Sequence, residues 1–164
     1  MSVSAGLREE LAKDGFDHVF EIVKKAVQGS LGARRAGLAL VLAEIPNYIG
    51  AYHVLGSNLI VLNKTILRAV ELLTKSKEEL NSFLFSILTH EYLHSLGHTD
   101  EREVRRLVHK VSVDTFGADH YTAKMAVGDF MNLYPELRML GPGRVGEDFE
   151  LIKDFDKSSM PYIG

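Results

Sequence analysis

The sequence predicts an α+β fold, and three observations carry the prediction. Phe16, Val19, Phe20, Val23 and Val27 recur at three- and four-residue steps, the spacing of one buried helix face. Two β-prone runs, Ala51–Leu55 and Leu59–Leu62, flank Gly56-Ser57, which can make a two-residue reverse turn. A longer helical pattern opens at Ser76 and carries Leu80, Phe83, Leu84, Ile87 and Leu88 towards a histidine-rich end. Helix, strands and then helices is the order of an α+β domain.

Composition narrows the class. A chain of 164 residues suggests one domain over 1–164, large enough to bury a core without staples. Apolar residues make up 46% and charged residues 25%, an ordinary globular balance, and a formal charge of -3 gives no reason to expect nucleic acid or an anionic membrane as partner. With no cysteine, disulfides and thiolate zinc sites are excluded, so any metal must be held by histidines and carboxylates. The start, M-S-V-S-A-G-L-R-E-E, lacks a basic segment followed by an apolar run, which makes cytoplasmic the default expectation. The longest apolar stretch, Ala36 to Ala43, is too short to span a bilayer and reads as a buried strand.

The elements follow in order. One amphipathic helix is expected from Leu7 to about Gly29, joined through Gly32 and Ala33-Arg34-Arg35 to a strand near Leu38–Glu44 that Pro46 ends. The hairpin comes next. Thr65–Thr74 is a short helical pattern with Leu67, Val70 and Leu73 on one side. Ser76 and Glu79 fit a capping box, and roughly two-thirds of the helix they open should be buried. After Asp100 a charged helix runs from Glu101 to Val111 with Val104, Leu107, Val108 and Val111 inward, and one more helix is expected from Phe116 to Leu137, interrupted at Gly128 and closed before Pro135. Gly141–Gly146 is a loop without the strand before and helix after that a phosphate-binding turn needs. There are no internal repeats.

The chemistry is concentrated in Thr89–Asp100, which reads T-H-E-Y-L-H-S-L-G-H-T-D. His90, Glu91 and His94 have the order H-E-x-x-H: two imidazoles one turn apart can grip one zinc ion while the glutamate handles a proton. Gly97 can end the helix and turn the chain back towards a third ligand. Three residues compete for that role, His98, Asp100 and Glu101, of which His98 has the least chain in which to curl under the metal. His18, His53, His109 and His120 stand alone, without ligand spacing.

The pattern H-E-x-x-H-x-x-G-x-x-D resembles the metzincin metallopeptidases, in the variant of the snapalysin-like members, and Gly97-His98 is similar to the G-H pair of the archaemetzincins. Ser158, Met160 and Tyr162 also resemble the methionine turn S-x-M-x-Y of that group. The resemblance covers some 17 residues; the rest agrees only in coarse order.

It implies a zincin-like fold, a small twisted mixed sheet packed on an active-site helix and further helices. It implies one catalytic zinc held by His90, His94 and Asp100, Glu91 as general base, Tyr162 stabilising the oxyanion, and peptide or protein substrates. It also implies that Ala51–Leu55 is an edge strand that binds the substrate backbone, with His53 on it. Two alternatives stay beside it. Bacterial RNA-maturation endonucleases share H-x-x-x-H-x-x-G, but they carry glycine where Glu91 stands. A zinc-stabilised interaction module would not need Glu91 at all.

Overall fold

A computed structural model of the chain describes residues 2–156. β1 (Ala39–Ala43), β2 (Ala51–His53), β3 (Leu59–Asn63) and β4 (Phe149–Ile152) form one mixed sheet in the order β2-β3-β1-β4. β1 and β3 are parallel, with Leu40 opposite Ile60; β2 and β4 lie antiparallel at the two edges. The central pair is apolar on both faces, as strands covered on both sides must be: Leu40, Leu42, Ile60, Val61 and Leu62 are all buried. Such a fold is compatible with the expected α+β class. β4 was not expected, because its Phe149 and Leu151 face solvent and leave no alternation to read.

The hairpin loop is longer than the two-residue turn suggested. Val54 N–H still donates to Leu59 O at 3.1 Å, so the reversal spans 55–58, with Gly56 at φ +78° and Ser57 N–H donating back to Val54 O. The alternation then fixes which backbone groups of β2 face β3. Gly50 O accepts from Asn63 N–H, Tyr52 pairs with Val61 and Val54 with Leu59. The N–H and C=O of Ala51 and His53 therefore point away from the sheet.

α1 (Ser2–Glu10) and α2 (Phe16–Leu31) stand where one helix was expected. The break has two causes. Gly15 takes φ +111°, and the buried Asn81 donates to the carbonyls of Leu11 and Lys13 at 2.7 and 2.8 Å, satisfying acceptors that a continued helix would have used itself. Asn81 belongs to α4 (Lys77–Ser95), the helix around which the domain packs. Ser76 caps it by accepting from Glu79 N–H at 3.1 Å, while Glu79 reaches back to Lys75 N–H, one residue before the expected capping-box partner.

α4 is covered on several sides. Phe83, Phe85, Leu88, Tyr92 and Leu93 are each no more than 2% exposed, and full burial of one such side chain contributes about 1.5–3 kcal/mol. Phe20 of α2 meets Tyr92 edge-on at 5.5 Å, and Phe116 of α5 (Glu101–Phe116) meets Phe85 at 5.2 Å. α3 (Lys64–Leu73) precedes α4.

The helix expected over Phe116–Leu137 is interrupted at Gly128 and closed before Pro135 as expected, but it begins only at Tyr121, giving α6 (Tyr121–Val127), α7 (Phe130–Leu133) and then a 3-10 turn, Pro135–Leu140. Gly117, at φ +96°, ends α5, His120 caps α6 by accepting from Thr122 N–H, and Asp129 caps α7 by accepting from Met131 N–H. Polar caps won over a continuous apolar period. No helix among the described residues is long and apolar enough to cross a membrane.

Candidate metal centre

α4 ends in a Schellman motif, which sets the geometry of everything after it. Gly97 N–H donates to His94 O at 3.0 Å and His98 N–H to Leu93 O at 3.2 Å, with Gly97 at φ +107° as expected for a glycine-dependent stop. The turn brings the carbonyl of His98 under the helix end, where it accepts from His94 Nδ1 at 2.7 Å. His98 thus contributes its backbone to His94.

The chain then enters α5 with two adjacent carboxylates. Asp100 is the N-cap: its Oδ1 accepts from Arg102 N–H at 2.9 Å and Glu103 N–H at 3.4 Å. Glu101 faces the other way. Its Oε2 lies 3.0 Å from His90 Nε2 and its Oε1 2.5 Å from His94 Nε2. Among the described residues, His90, His94 and Glu101 form the group with geometry for a metal, one ligand atom from each lying within 4.8 Å of the others. The structure therefore brings together both expected histidines and places Asp100 in a cap. Ser158, Met160 and Tyr162 lie outside the described residues.

The donor set fits a divalent cation on chemical grounds. Both nitrogens of His94 face oxygen acceptors, the His98 carbonyl and the Glu101 carboxylate. A neutral ring carries one proton and can satisfy only one of them. Nδ1–H to a carbonyl is the arrangement that frees the Nε2 lone pair for a metal, and a cation between Nε2 and the carboxylate removes the conflict. Zinc takes this mixture of imidazole and carboxylate ligands.

The electrostatics support the same division of labour. His90 is held below the usual histidine range by burial; Glu101 works against that and His94 with it. Neutral imidazole is the ligand form. Glu101 has some burial, which alone would raise it, but the two histidines outweigh this and hold it below the usual carboxylate range.

Glu91 behaves differently. It is 6% exposed, and burial pushes its carboxyl up to about 7; His94 draws it down, Glu101 raises it, and the backbone N–H of His53 donates to it and lowers it. That N–H is one of those the register turns away from the sheet, so edge strand and helix meet at this carboxylate.

The centre opens into a cleft of about 580 Å³. One wall is the chain from Tyr48 through β2 to Leu55, another is formed by Glu101, Arg105 and Val108 of α5, and a third by Met125, Phe130 and Leu133. Phe83 and Ile87 of α4 contribute apolar surface. The His53 ring donates from Nε2 to Ser57 O at 2.9 Å, and so is bound up in the hairpin turn.

No protein-family model, curated protein or solved structure matches this chain.

Two of the remaining lone histidines have structural surroundings. His120 is buried between Phe116, Thr122 and Glu78, and His18 lies 3.9 Å from Glu10. Neither is near the cluster. Spacing left Glu101 beside His98 and Asp100 as a third-ligand candidate, and a local signal separates the two acids: Asp directly before a helical pattern, with Glu103 three residues later, is an N-cap signature that directs Asp100 to backbone.

Proposed function

We propose that this chain is a zincin-like, zinc-dependent metallopeptidase using one zinc ion, held by His90, His94 and Glu101. The observation that carries the reading is the convergence of both Nε2 atoms on one carboxylate, beside a buried glutamate that is not part of the cluster. A purely structural zinc site is closed by four ligands, whereas three protein ligands leave a position open. Glu91 has no role in a structural site.

Bound there, zinc would supply Lewis-acid polarisation of a peptide carbonyl and a water acidic enough to lose a proton near neutral pH. Glu91 does the proton work. A carboxylate poised near 7 can accept a proton from the attacking water and return it to the leaving nitrogen, because neither form is strongly preferred at working pH. His94 is fixed by its Nδ1–H bond to the His98 carbonyl, and Gly97 makes that bond possible.

β2 suits a peptide substrate. The outward C=O and N–H of Ala51 and the outward C=O of His53 can pair with an extended chain laid along the edge, an addition of one strand to the sheet. Such a chain would pass over Glu91, which His53 N–H already touches. The cleft is ill suited to a nucleic acid backbone: Glu91, Glu101 and Asp129 line it and Arg105 is the one Lys or Arg to do so among the described residues.

The test combines metal analysis with digestion. The purified protein should hold one zinc per chain and cleave members of a peptide library, with cleavage lost on chelation and restored by zinc. Full zinc occupancy with no cleavage across the library would leave the interaction-module reading standing instead.

A further inference from the structure

Among the described residues, Arg102 and Arg105 are the two arginines of α5 whose guanidinium makes no ion pair or hydrogen bond, and of the two only Arg105 lines the cleft. Arg106 is clamped by Glu103 through two bonds of 2.9 and 2.7 Å, and Lys110 is paired with Asp114 at 2.7 Å. Arg105 makes no ion pair or side-chain hydrogen bond among the described residues, although it is exposed and lines the cleft. A guanidinium is a fork of donors that matches a carboxylate, and here the fork is unused.

The acids that could have taken it are each committed elsewhere. Glu101 faces the two imidazoles, Glu91 is buried and accepts from His53 N–H, and Asp129 accepts from Met131 N–H at 2.9 Å to cap α7. Three acids and one cation therefore line the cleft, and only the cation lacks a partner among the described residues. This is an arrangement that would attract a single negative group to one defined point while repelling an extended polyanion.

The position of that point follows from the helix. Residues four apart lie on one face, so Arg105 sits one turn, about 5.4 Å, beyond Glu101. Val108 continues the same wall with apolar surface. An extended peptide advances about 3.3 Å per residue, which places a group held by Arg105 within roughly two residues of the bond lying over the metal site.

We propose that Arg105 is a specificity-determining residue that binds a carboxylate of the peptide substrate, either an acidic side chain or the free C-terminus, within two residues of the scissile bond. The proposal rests on the peptidase reading above. It adds the substrate class: peptides with one negative group close to the cleaved bond.

Matched fluorescent peptides test it. They differ only by Glu against Gln at each of the two positions on either side of the cleaved bond, or by a free against an amidated C-terminus. Binding is measured by anisotropy to the zinc-loaded Glu91→Gln protein, and turnover with Glu91 intact, at equal zinc content. In at least one pair the carboxylate member should bind about fivefold or more tighter, the scale of one well-aligned charged contact. The ratio should fall to near one in Arg105→Gln, be partly kept in Arg105→Lys, and fall below one in Arg105→Glu. A response confined to the side-chain pairs assigns the site to an acidic residue, and one confined to the terminal pair assigns it to the C-terminus. Equal ratios in Arg105 and Arg105→Gln proteins overturn the inference. Hydrolysis without charge preference sinks this inference alone, whereas carboxylate-selective binding without hydrolysis sinks the peptidase reading alone.

Discussion

Asp100 and Glu101 are neighbours at the start of α5 whose carboxylates serve opposite directions, one capping the helix and the other facing His90 and His94. Helical geometry forces the division, because consecutive side chains point about 100° apart and cannot share a partner.

Their substitutions should separate cleanly. Glu101→Ala is expected to weaken zinc affinity at least tenfold, the lower end of what even an outer-shell loss costs. Asp100→Ala should retain one zinc per chain and lose about 1 kcal/mol of folding stability as the cap disappears. Titration against a competing chelator and denaturant unfolding check the pair. The opposite pattern would make Asp100 the ligand and Glu101 a bystander.

Glu91→Gln should leave zinc bound but lower peptide turnover by about 10²–10⁴, because the amide keeps the shape and an acceptor for His53 N–H while losing the basic oxygen. Turnover is compared in zinc-loaded samples. Equal rates would remove Glu91 from the reaction.

How far the sequence could be read depended on whether a signal was local. The capped α4, its H-E-x-x-H spacing and the glycine stop at Gly97 are written in adjacent residues, and all three are present. The edge position of β2 is not local. It depends on β1 passing between β3 and β4, a pairing that no spacing within Ala51–Leu55 records. The broken helices failed for two different reasons: at Ala12–Gly15 the carbonyls of Leu11 and Lys13 are taken by Asn81, 68 to 70 residues away, whereas at Gly117–His120 the stop and the histidine cap were local signals outweighed by the helical patterns on either side. Long-range partners leave no mark near the residues they serve.

Asn63 offers a test of how the wall of the cleft is held. It is 0% exposed, its Oδ1 caps α3 by accepting from Ile66 N–H at 3.0 Å, and its Nδ2 lies 3.0–3.3 Å from Ile45 O, Pro46 O, Asn47 Oδ1 and Ile49 O. One amide thus organises the segment that leads into β2. Asn63→Asp keeps the cap but sets a carboxylate against four acceptors, and should cost about 2–3 kcal/mol or more. Denaturant unfolding measures it, with peptide affinity expected to fall as well. A loss under about 0.5 kcal/mol would show that the segment is held by other contacts.

The last prediction concerns pH and the buried His120. Its Nδ1 accepts from Thr122 N–H at 3.2 Å, its Nε2 faces Glu78 at 3.0 Å, and Phe116 stacks on the ring at 4.8 Å. Burial holds this histidine below its usual range despite the opposing pull of Glu78, with Arg8 adding to the lowering. Glu78 is itself held low, chiefly by its hydrogen bond to His120 against some burial, with Arg8 assisting. Both shifts have the same sign in stability. A group whose folded pKa is depressed contributes fully above its unfolded value, so the His120 share is complete above about pH 6.5 and is lost as pH falls through the lower folded value. The Glu78 share follows at still lower pH, as its carboxylate is protonated. The chemical reason is plain: a proton on Nδ1 destroys the acceptor that caps α6. His90 shifts in the same direction, so the comparison must be with a variant rather than with pH alone. His120→Asn keeps a cap acceptor without a titrating group. Unfolding of the metal-free proteins between pH 7.5 and 5.5 should show the His120 protein losing more stability than the variant, by at most about 1.4 kcal/mol per pH unit, the slope of one proton. Parallel pH profiles would mean that His120 stays neutral, or exchanges its proton without consequence, throughout that range.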